Sequence, residues 1–477
     1  MSNSNQKMPT TLDVPLRLEP SGNQAGRVHA ALRAAILRGQ LPPGLRLPSS
    51  RAMADQVGVG RNAVVVAYEY LHADGLVEAR HGSGTYVAAL LPPRVAASPI
   101  LAAPGAPSRR ACALGCVEPE PNLIRRLGAA ARRRIALAGP DALGYGDPAG
   151  DLGLRRQIAA HLAASRGVVC DPGRIVVTAG MQQGLRFCAE ALLQPGDAVW
   201  FEDPGYPASR ATLGAVGVRP TPVPVDAEGI DVAAGAVLAP GAAAAYVTPS
   251  NQFPTGATMS MSRRLALLDW ARAAGAWVLE DDYDNEFRYE GPPLTALAGL
   301  DGSDRVIYLG TFSKTLFPAL RLAYLVLPPA AVAPVLAVRA THDRFPPGLL
   351  DAAVAELMAD GTLAAHTRRM RKRYRVARDV LAAALRQEAP ALRVVAPPQG
   401  LHLLACFPPG TRPEDAVRIR AESGVEAWLL SETRVAADGE EGLVLGFAGH
   451  SAAALREAAA RIGCAMRGGA AAWSPGR

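Results

Sequence analysis

Residues 306–326 read VIYLGTFSKTLFPALRLAYLV, and this stretch decides how the larger part of the chain is interpreted. An apolar run ends in a loop that carries Thr311, Ser313 and Lys314, and Arg321 follows seven residues after the lysine. A lysine amine can form an imine with a carbonyl compound, while hydroxyl and guanidinium groups bind phosphate. A serine–lysine pair alone is weak evidence for such a site, because most such lysines lie on the surface. The neighbouring segments decide whether this lysine belongs to a site.

Acidic residues close a second apolar run, AWVLEDD (276–282), and Tyr283 follows them directly. An aspartate beside a pyridine nitrogen keeps that ring protonated, so that the ring withdraws electrons. A tyrosine close by can donate a hydrogen bond to an oxygen on the same ring. The sequence offers both Asp281 and Asp282 for the first role and does not choose between them.

Two further segments supply groups for a flat, phosphorylated ligand. In TAGMQQGL an apolar run gives way to a helix start, and the backbone N–H groups of Gly180, Met181 and Gln182 can bind a phosphate there. In FEDPGYPASR, Tyr206 stands where an aromatic side chain can stack on the ligand.

Six apolar runs alternate with helical stretches from about residue 113 onward. This alternation predicts an α/β fold with a mostly parallel sheet, in a domain that we expect to cover residues 113–470. The six runs are IVVTAG, DAVWFED, AAAYVTPS, AWVLEDD, RVIYLG and LAYLVLP.

The first 90 residues show a different pattern, with short helices and a glycine-rich hairpin. Apolar residues recur at helical spacing between Val28 and Ile36. Further helices are predicted at 51–57, capped by Ser49 or Ser50, and from about 61 to 73. Two short helices joined tightly form a helix-turn-helix pattern, in which the start of the second helix meets DNA bases.

The third helix is expected to bury Ala63, Ala67 and either Leu71 or Tyr70. After it, LVEARHGSGTYV (76–87) predicts two strands around a glycine turn, which is the wing of a winged helix.

Composition excludes several classes of protein. With 49% hydrophobic and 19% charged residues in 477, the chain is globular. Its net charge is +7, and residues 1–90 carry 9 basic against 6 acidic residues, which suits a nucleic-acid partner. Without an apolar run near the ~18 residues of a membrane span, or an apolar signal core, we expect a cytoplasmic protein with no membrane contact. The six cysteines match no zinc spacing, so no metal is expected.

Residues 36–87 as a whole resemble the DNA-binding domain of the GntR family. PPG-x-RLPSSR, the apolar helices and GSGTYV occur in order at the family's spacing. The resemblance implies a winged helix at residues 15–90, joined by a linker at 91–112, and a double-stranded DNA operator as partner. The residues that it implies at the DNA are Arg46, Arg51, Arg61, Asn62, His81 and Gly82.

The later segments resemble fold-type I aminotransferases, and both parts together resemble the MocR family of regulators over about residues 15–465. The resemblance implies pyridoxal 5'-phosphate bound through a Schiff base to Lys314, with Asp281 at the ring nitrogen and Tyr283 at the ring oxygen. It also implies a homodimer, in which Tyr145 reaches the phosphate of the partner subunit. The other implied cofactor contacts are Tyr206, Gly180, Met181, Gln182, Thr311, Ser313 and Arg321.

Two positions depart from the aminotransferase pattern. Phe253 stands where those enzymes usually have the asparagine before the PTG turn, so we expect Asn251, two residues earlier, to contact the cofactor. Val444 stands where they present an arginine to the substrate carboxylate, and Arg210 offers a substitute.

These departures indicate a transcription regulator whose large domain senses the cofactor, an amine or an amino acid. The lack of the carboxylate-binding arginine favours sensing of pyridoxal phosphate, as in regulators of its synthesis. The alternative is an active aminotransferase with an accessory DNA-binding domain.

A dense basic run, HTRRMRKRYRVARD, covers residues 366–379 at helical spacing. It is either a solvated helix face with locally paired arginines or an additional set of DNA phosphate contacts.

Overall fold

The computed structural model describes residues 11–16, 18–19, 21–89, 110–436 and 439–468. The chain divides into two compact units, residues 1–106 and 107–477. Most of the predicted linker at 91–112 lies outside the described residues. Ala111 and Cys112 belong to the second unit, because their carbonyl oxygens accept hydrogen bonds from Glu426 and Gly446.

The first unit has three helices and a hairpin, as predicted. Ser49 caps the second helix by accepting a hydrogen bond from the Ala52 N–H group, and Ser50 is the first helical residue. Gly60 precedes the third helix without a side-chain cap. The elements are α1 (Gln24–Leu37), α2 (Ser50–Val57), α3 (Arg61–Ala73), β1 (Val77–Arg80) and β2 (Gly84–Val87).

The buried face of α3 differs by one residue from the prediction. Val64 is fully buried together with Ala67 and Leu71, whereas Ala63 is half-buried and Tyr70 is exposed. One residue turns a helix by about 100°, so a larger side chain one position later takes the core place that the sequence pattern gave to alanine.

The large sheet of the second unit confirms the predicted α/β fold. Its eight strands are β3 (Ile175–Thr178), β4 (Ala198–Asp203), β5 (Arg219–Asp226), β6 (Gly229–Ile230), β7 (Ala244–Val247), β8 (Trp277–Asp282), β9 (Val306–Thr311) and β10 (Ala323–Val326). Their order is β3-β10-β9-β8-β7-β4-β5-β6. The pairs from β9 through β5 are parallel, while β10 runs antiparallel to both neighbours. The six apolar runs of the sequence are β3, β4, β7, β8, β9 and β10.

A second, antiparallel sheet has the order β11-β12-β14-β13. Its strands are β11 (Arg393–Val395), β12 (His402–Cys406), β13 (Trp428–Leu429) and β14 (Gly442–Gly446). One face of it packs against the long helix α13 and the C-terminal helix α15 in a common apolar core.

Helices cover the large sheet and flank the small one. They are α4 (Pro121–Ala136), α5 (Leu152–Arg166), α6 (Met181–Leu192), α7 (Pro207–Ala215), α8 (Val232–Leu238), α9 (Met261–Ala274), α10 (Leu297–Leu300), α11 (Pro329–His342), α12 (Asp351–Ala359), α13 (Thr362–Glu388), α14 (Pro413–Ser423) and α15 (Ala452–Gly468). Among the described residues no helix has the length and hydrophobicity that crossing a membrane requires.

The carboxyl ends of β3, β4, β7, β8 and β9 meet at one edge of the large sheet, since these strands share a direction. In open α/β sheets this edge is where ligands bind. The predicted ligand-binding segments follow these strands, so the topology itself brings them together.

Candidate functional site

Asp281 lies buried at the end of β8 with one oxygen unused. Its Oδ2 atom accepts a hydrogen bond from the Tyr246 hydroxyl, which is also 3.0 Å from the hydroxyl of buried Ser209. Its Oδ1 atom has no hydrogen-bond partner in the described part of the chain. Burial raises the pKa of this carboxyl to about 7. A buried acceptor without a donor is costly, so this oxygen fits an N–H group of a ligand.

Asp282 points to the opposite face of the strand, because successive side chains of a β-strand point to alternate faces. Its carboxylate pairs with the Arg166 guanidinium at 2.7 Å and accepts a hydrogen bond from the Tyr308 hydroxyl at 2.7 Å. The two carboxyls that the sequence left undecided therefore differ in surroundings. Asp282 is part of an internal ion pair, and Asp281 faces the site with a free oxygen.

Tyr283 and Asn251 bind each other beside this carboxyl. The Tyr283 hydroxyl donates to the Asn251 carbonyl at 3.0 Å and accepts from the Asn251 side-chain amide at 3.1 Å. That amide also lies 2.9 Å from the carboxyl of buried Asp284, while the Asn251 Oδ1 atom is buried and has no hydrogen-bond partner among the described residues. Asn251, two residues before Phe253, is thus the amide that contacts Tyr283.

Lys314 follows β9 and is partly buried. A Cβ atom at Gly115 would lie 3.0 Å from its Nζ atom, so that glycine leaves room for the amine. Burial lowers the pKa of Lys314, against the opposing effect of the carboxyls of Asp284 and Asp281. Lowering the pKa increases the unprotonated, nucleophilic fraction of a lysine at neutral pH.

A candidate anion site lies where β3 meets α6. Gly180 has φ 110° and precedes the helix, whose first-turn N–H groups have no helical acceptor. A Cβ atom there would lie 2.6 Å from the Arg321 guanidinium, so only glycine admits the cation. The Thr311 and Ser313 hydroxyls lie 3.0 Å apart. Met181 begins the helix, and the Gln182 side chain binds Ser209 and Thr212.

Tyr206 stands at the start of α7 in an aromatic group. Its ring meets Phe253 edge-on at 5.3 Å between centroids and is parallel to Trp428 at 6.1 Å. Burial and the charge of Asp281 raise the pKa of its hydroxyl.

Tyr145 is not brought to the other site residues of its own chain. Its side chain is 77% exposed, with its ring edge-on to Phe345 and beneath the guanidinium of Arg344.

Sequence reasoning missed Tyr246, Ser209, Asp284 and His402. Tyr246 lay within the run AAAYVTPS, but nothing in the pattern marked it as the partner of a carboxyl on the next strand. His402 is buried on β12, 5.2 Å from the Phe253 ring, and burial lowers its pKa to about 4.

The predicted DNA contacts form an exposed surface of the first unit. Arg51, Arg61 and Asn62 are exposed at the starts of α2 and α3. His81 and Gly82 are exposed at the tip of the hairpin, where Gly82 has φ 71°. Half-buried Arg46 pairs with the second wing strand, and its guanidinium lies 5.8 Å from the Tyr86 ring. Arg61 and Asn62 thus lie at the start of the second helix of the helix-turn-helix, the part that meets DNA bases in such domains.

The basic run lies on α13, and much of it is paired within the chain. Arg369 binds Glu120 and Arg373 binds Glu118. Five cations of the run are exposed, and in the described part of the chain three of them form no ion pair, namely Arg368, Lys372 and Arg375. The arginines on one side of the run are therefore paired within the chain. Only the cations on the other side are available for additional DNA contacts.

Comparison with known proteins covers both units. Residues 24–87 match the family described as bacterial regulatory proteins, gntR family, and residues 119–462 match aminotransferase class I and II.

No group of three or more His, Cys, Asp or Glu side chains in the described residues could hold a metal ion.

Similar proteins include both regulators and enzymes. The probable rhizopine catabolism regulatory protein MocR of Rhizobium meliloti is 36% identical over 90% of this chain and 91% of its own. The pyridoxine biosynthesis regulator PdxR of Corynebacterium glutamicum is 32% identical over 95% and 99%. Among solved structures, the α-aminoadipate aminotransferase LysN of Thermus thermophilus, complexed with N-(5'-phosphopyridoxyl)-L-leucine, is 29% identical with a TM-score of 0.68, over 74% of this chain and 92% of its own.

Proposed function

Because the chain belongs to the MocR-type regulators of the GntR superfamily, we propose that it binds operator DNA through its winged helix and pyridoxal 5'-phosphate through its large domain. The observation that carries the cofactor assignment is the unpartnered Oδ1 atom of buried Asp281. We assign the winged helix to residues 15–90 and the cofactor domain to residues 113–470. Asp281, rather than Asp282, is our choice for the ring nitrogen.

The side chains of the candidate site offer suitable groups to both ends of the cofactor. Arg321 over Gly180, with the Thr311 and Ser313 hydroxyls and the start of α6, suits a phosphate dianion. When bound, the cofactor supplies a carbonyl group that combines with primary amines and a ring that withdraws electrons. The partly buried Lys314 amine, with its lowered pKa, is suited to holding it covalently.

The remaining residues hold and orient the site. Tyr246 fixes Asp281 by donating to one of its oxygens, which leaves the other aimed at the ligand. The paired Tyr283 and Asn251 are our candidates for the ring oxygen, and Tyr206 for the wall of the site.

We propose a homodimer in which Tyr145 serves the partner subunit. Its ring is held at the surface by Phe345 and Arg344 and remains accessible. That exposure is what a residue acting in a second copy requires.

The observations favour a regulator over an enzyme. Val444 is fully buried among apolar side chains. A 2-aminoadipate transaminase of Thermus thermophilus is 30% identical but covers only 73% of this chain, whereas MocR and PdxR cover 90% and 95% of it. The effector is the cofactor, alone or with an amine, acting on operator affinity.

The test is covalent labelling of the purified, cofactor-reconstituted protein. We expect visible absorption from the bound cofactor, and borohydride reduction followed by peptide mapping to place the label on Lys314. Lys314→Ala should lose the label and keep DNA binding. A label on another lysine, or none after reconstitution, rejects the assignment.

A further inference from the structure

Deepening the proposed function, on which this inference rests, we infer that the effector side of the site selects a primary amine with an apolar substituent and without a carboxylate. The structural basis is a group of five side chains, here called the apolar subsite: Tyr206, Phe253, Leu404, Trp428 and Val444. They belong to one contiguous apolar cluster, which Tyr283 also joins. Through Tyr283 the subsite reaches the candidate cofactor position.

The register of the small sheet sets the direction of Val444. It lies opposite Leu404 on β12 and opposite Trp428 on β13. Its neighbours Leu443 and Leu445 belong to the core under α13 and α15, whereas Val444 belongs to the apolar subsite. Alternation along the strand therefore turns Val444, and not its neighbours, toward the aromatic side chains of the site.

Aromatic rings form the side of the subsite nearest the cofactor position. Phe253 meets Tyr206 at 5.3 Å and Trp428 at 5.9 Å, both edge-on. Phe253 is 7% exposed and Val444 is not exposed at all. A substituent that packed against these side chains would meet carbon, and burial of apolar groups is what such surfaces favour.

The ionisable groups facing the subsite include one cation, Arg393, whose guanidinium donates to the Cys406 Sγ atom at 3.2 Å and pairs with Glu440. Burial lowers the pKa of His402 to about 4, so its ring carries no charge near pH 7. Burial also raises the pKa of the Cys406 thiol to about 12 and that of the Tyr206 hydroxyl above its usual value. Because Arg393 is already paired with Glu440, a ligand carboxylate at the subsite would be buried without a free cation, which is strongly unfavourable.

Arg210 is a second cation that could overturn this inference. It is half-buried on α7, four residues after Tyr206. If Arg210 bound a ligand carboxylate, the site would bind amino acids despite Val444. The experiment therefore includes a substitution of Arg210.

The experiment compares matched pairs that differ only by a carboxylate. Full-length reconstituted protein is titrated with isopentylamine against leucine and with phenethylamine against phenylalanine, and the visible spectrum and operator affinity are followed. We expect each amine to bind at least about tenfold more tightly than its amino acid, the equivalent of one charged hydrogen-bonded pair. Val444→Arg should reduce or reverse that ratio, Val444→Ile should preserve it, and Arg210→Ala should leave it unchanged.

Equal binding of amine and amino acid by the wild-type protein would overturn the inference, as would a preference for amino acids that Arg210→Ala abolishes. Failure of both ligands to bind while the cofactor remains on Lys314 would refute the subsite and leave the proposed function standing. Absence of cofactor on Lys314 would reject both. The comparison of amine and amino acid binding by the wild-type protein tests the inference even if Val444→Arg does not fold.

Discussion

Replacing Asp281 with asparagine tests the cofactor site at its most informative residue. The substitution keeps the shape of the side chain and an acceptor for the Tyr246 hydroxyl, but removes the negative charge that faces the ligand. Hydrogen bonds to charged groups contribute about 1.5–3 kcal/mol. We therefore expect Asp281→Asn to bind pyridoxal phosphate roughly 10- to 150-fold more weakly, as measured by titration of the visible absorption band.

The same substitution should have the opposite effect on the cofactor-free protein. Burial raises the pKa of Asp281 from 3.8 to about 7, so between these values the folded chain holds a proton that the unfolded chain has lost. The free energy of unfolding must then fall as pH rises through this window. Asparagine does not ionise, so it does not lose stability in this way. The free energy of unfolding of Asp281→Asn should therefore rise relative to that of the wild type from pH 4 to pH 7.5, by at most about 4 kcal/mol.

Asp282→Asn is the matched control one residue away. It removes a charge from the buried pair with Arg166, and breaking a buried pair costs about 3–5 kcal/mol. We expect this variant to be destabilised in urea unfolding at pH 7.5, where Asp281→Asn is not. If Asp281→Asn retains full cofactor affinity, or if Asp282→Asn alone loses it, the assignment of the ring partner is wrong.

Three further predictions concern the phosphate site and the DNA. Gly180→Ala places a methyl group 2.6 Å from the Arg321 guanidinium, so cofactor affinity should fall at least tenfold with DNA binding unchanged; unaltered affinity would exclude the anion site. Arg61→Ala should cost ~1–3 kcal/mol of operator binding and leave the cofactor spectrum intact, and an unchanged footprint would remove it from the interface. Neutralising Arg368, Lys372 and Arg375 together should lower the slope of log K against log salt by up to ~0.9 per lost phosphate contact, whereas an unaltered slope means a solvated helix face.

The sequence was sufficient for features that depend on local pattern. Each of the six apolar runs is a strand of the large sheet, and the loop after β9 carries Lys314 as expected. Strand direction then brings the ligand-binding segments to one edge. The winged helix likewise followed from helix spacing, a serine cap and a glycine turn.

Features that depend on distant partners were not predictable. Alternation says that Asp281 and Asp282 face opposite ways, but only the positions of Tyr246 and Arg166 show which face is the site. The pairing of Arg369 with Glu120 joins residues far apart in sequence, so the basic run could not be interpreted locally. The burial of Val64 instead of Ala63 was decided by packing within the domain.

The most direct test of the account is operator affinity with and without pyridoxal phosphate, for the wild type and for Lys314→Ala. The probe is an operator duplex selected by the protein from random DNA, and fluorescence anisotropy gives the dissociation constant. The account predicts that the cofactor changes the affinity of the wild-type protein and leaves that of Lys314→Ala unchanged. A wild-type affinity that is the same in both conditions, with the cofactor demonstrably on Lys314, would contradict a regulator that responds through this site.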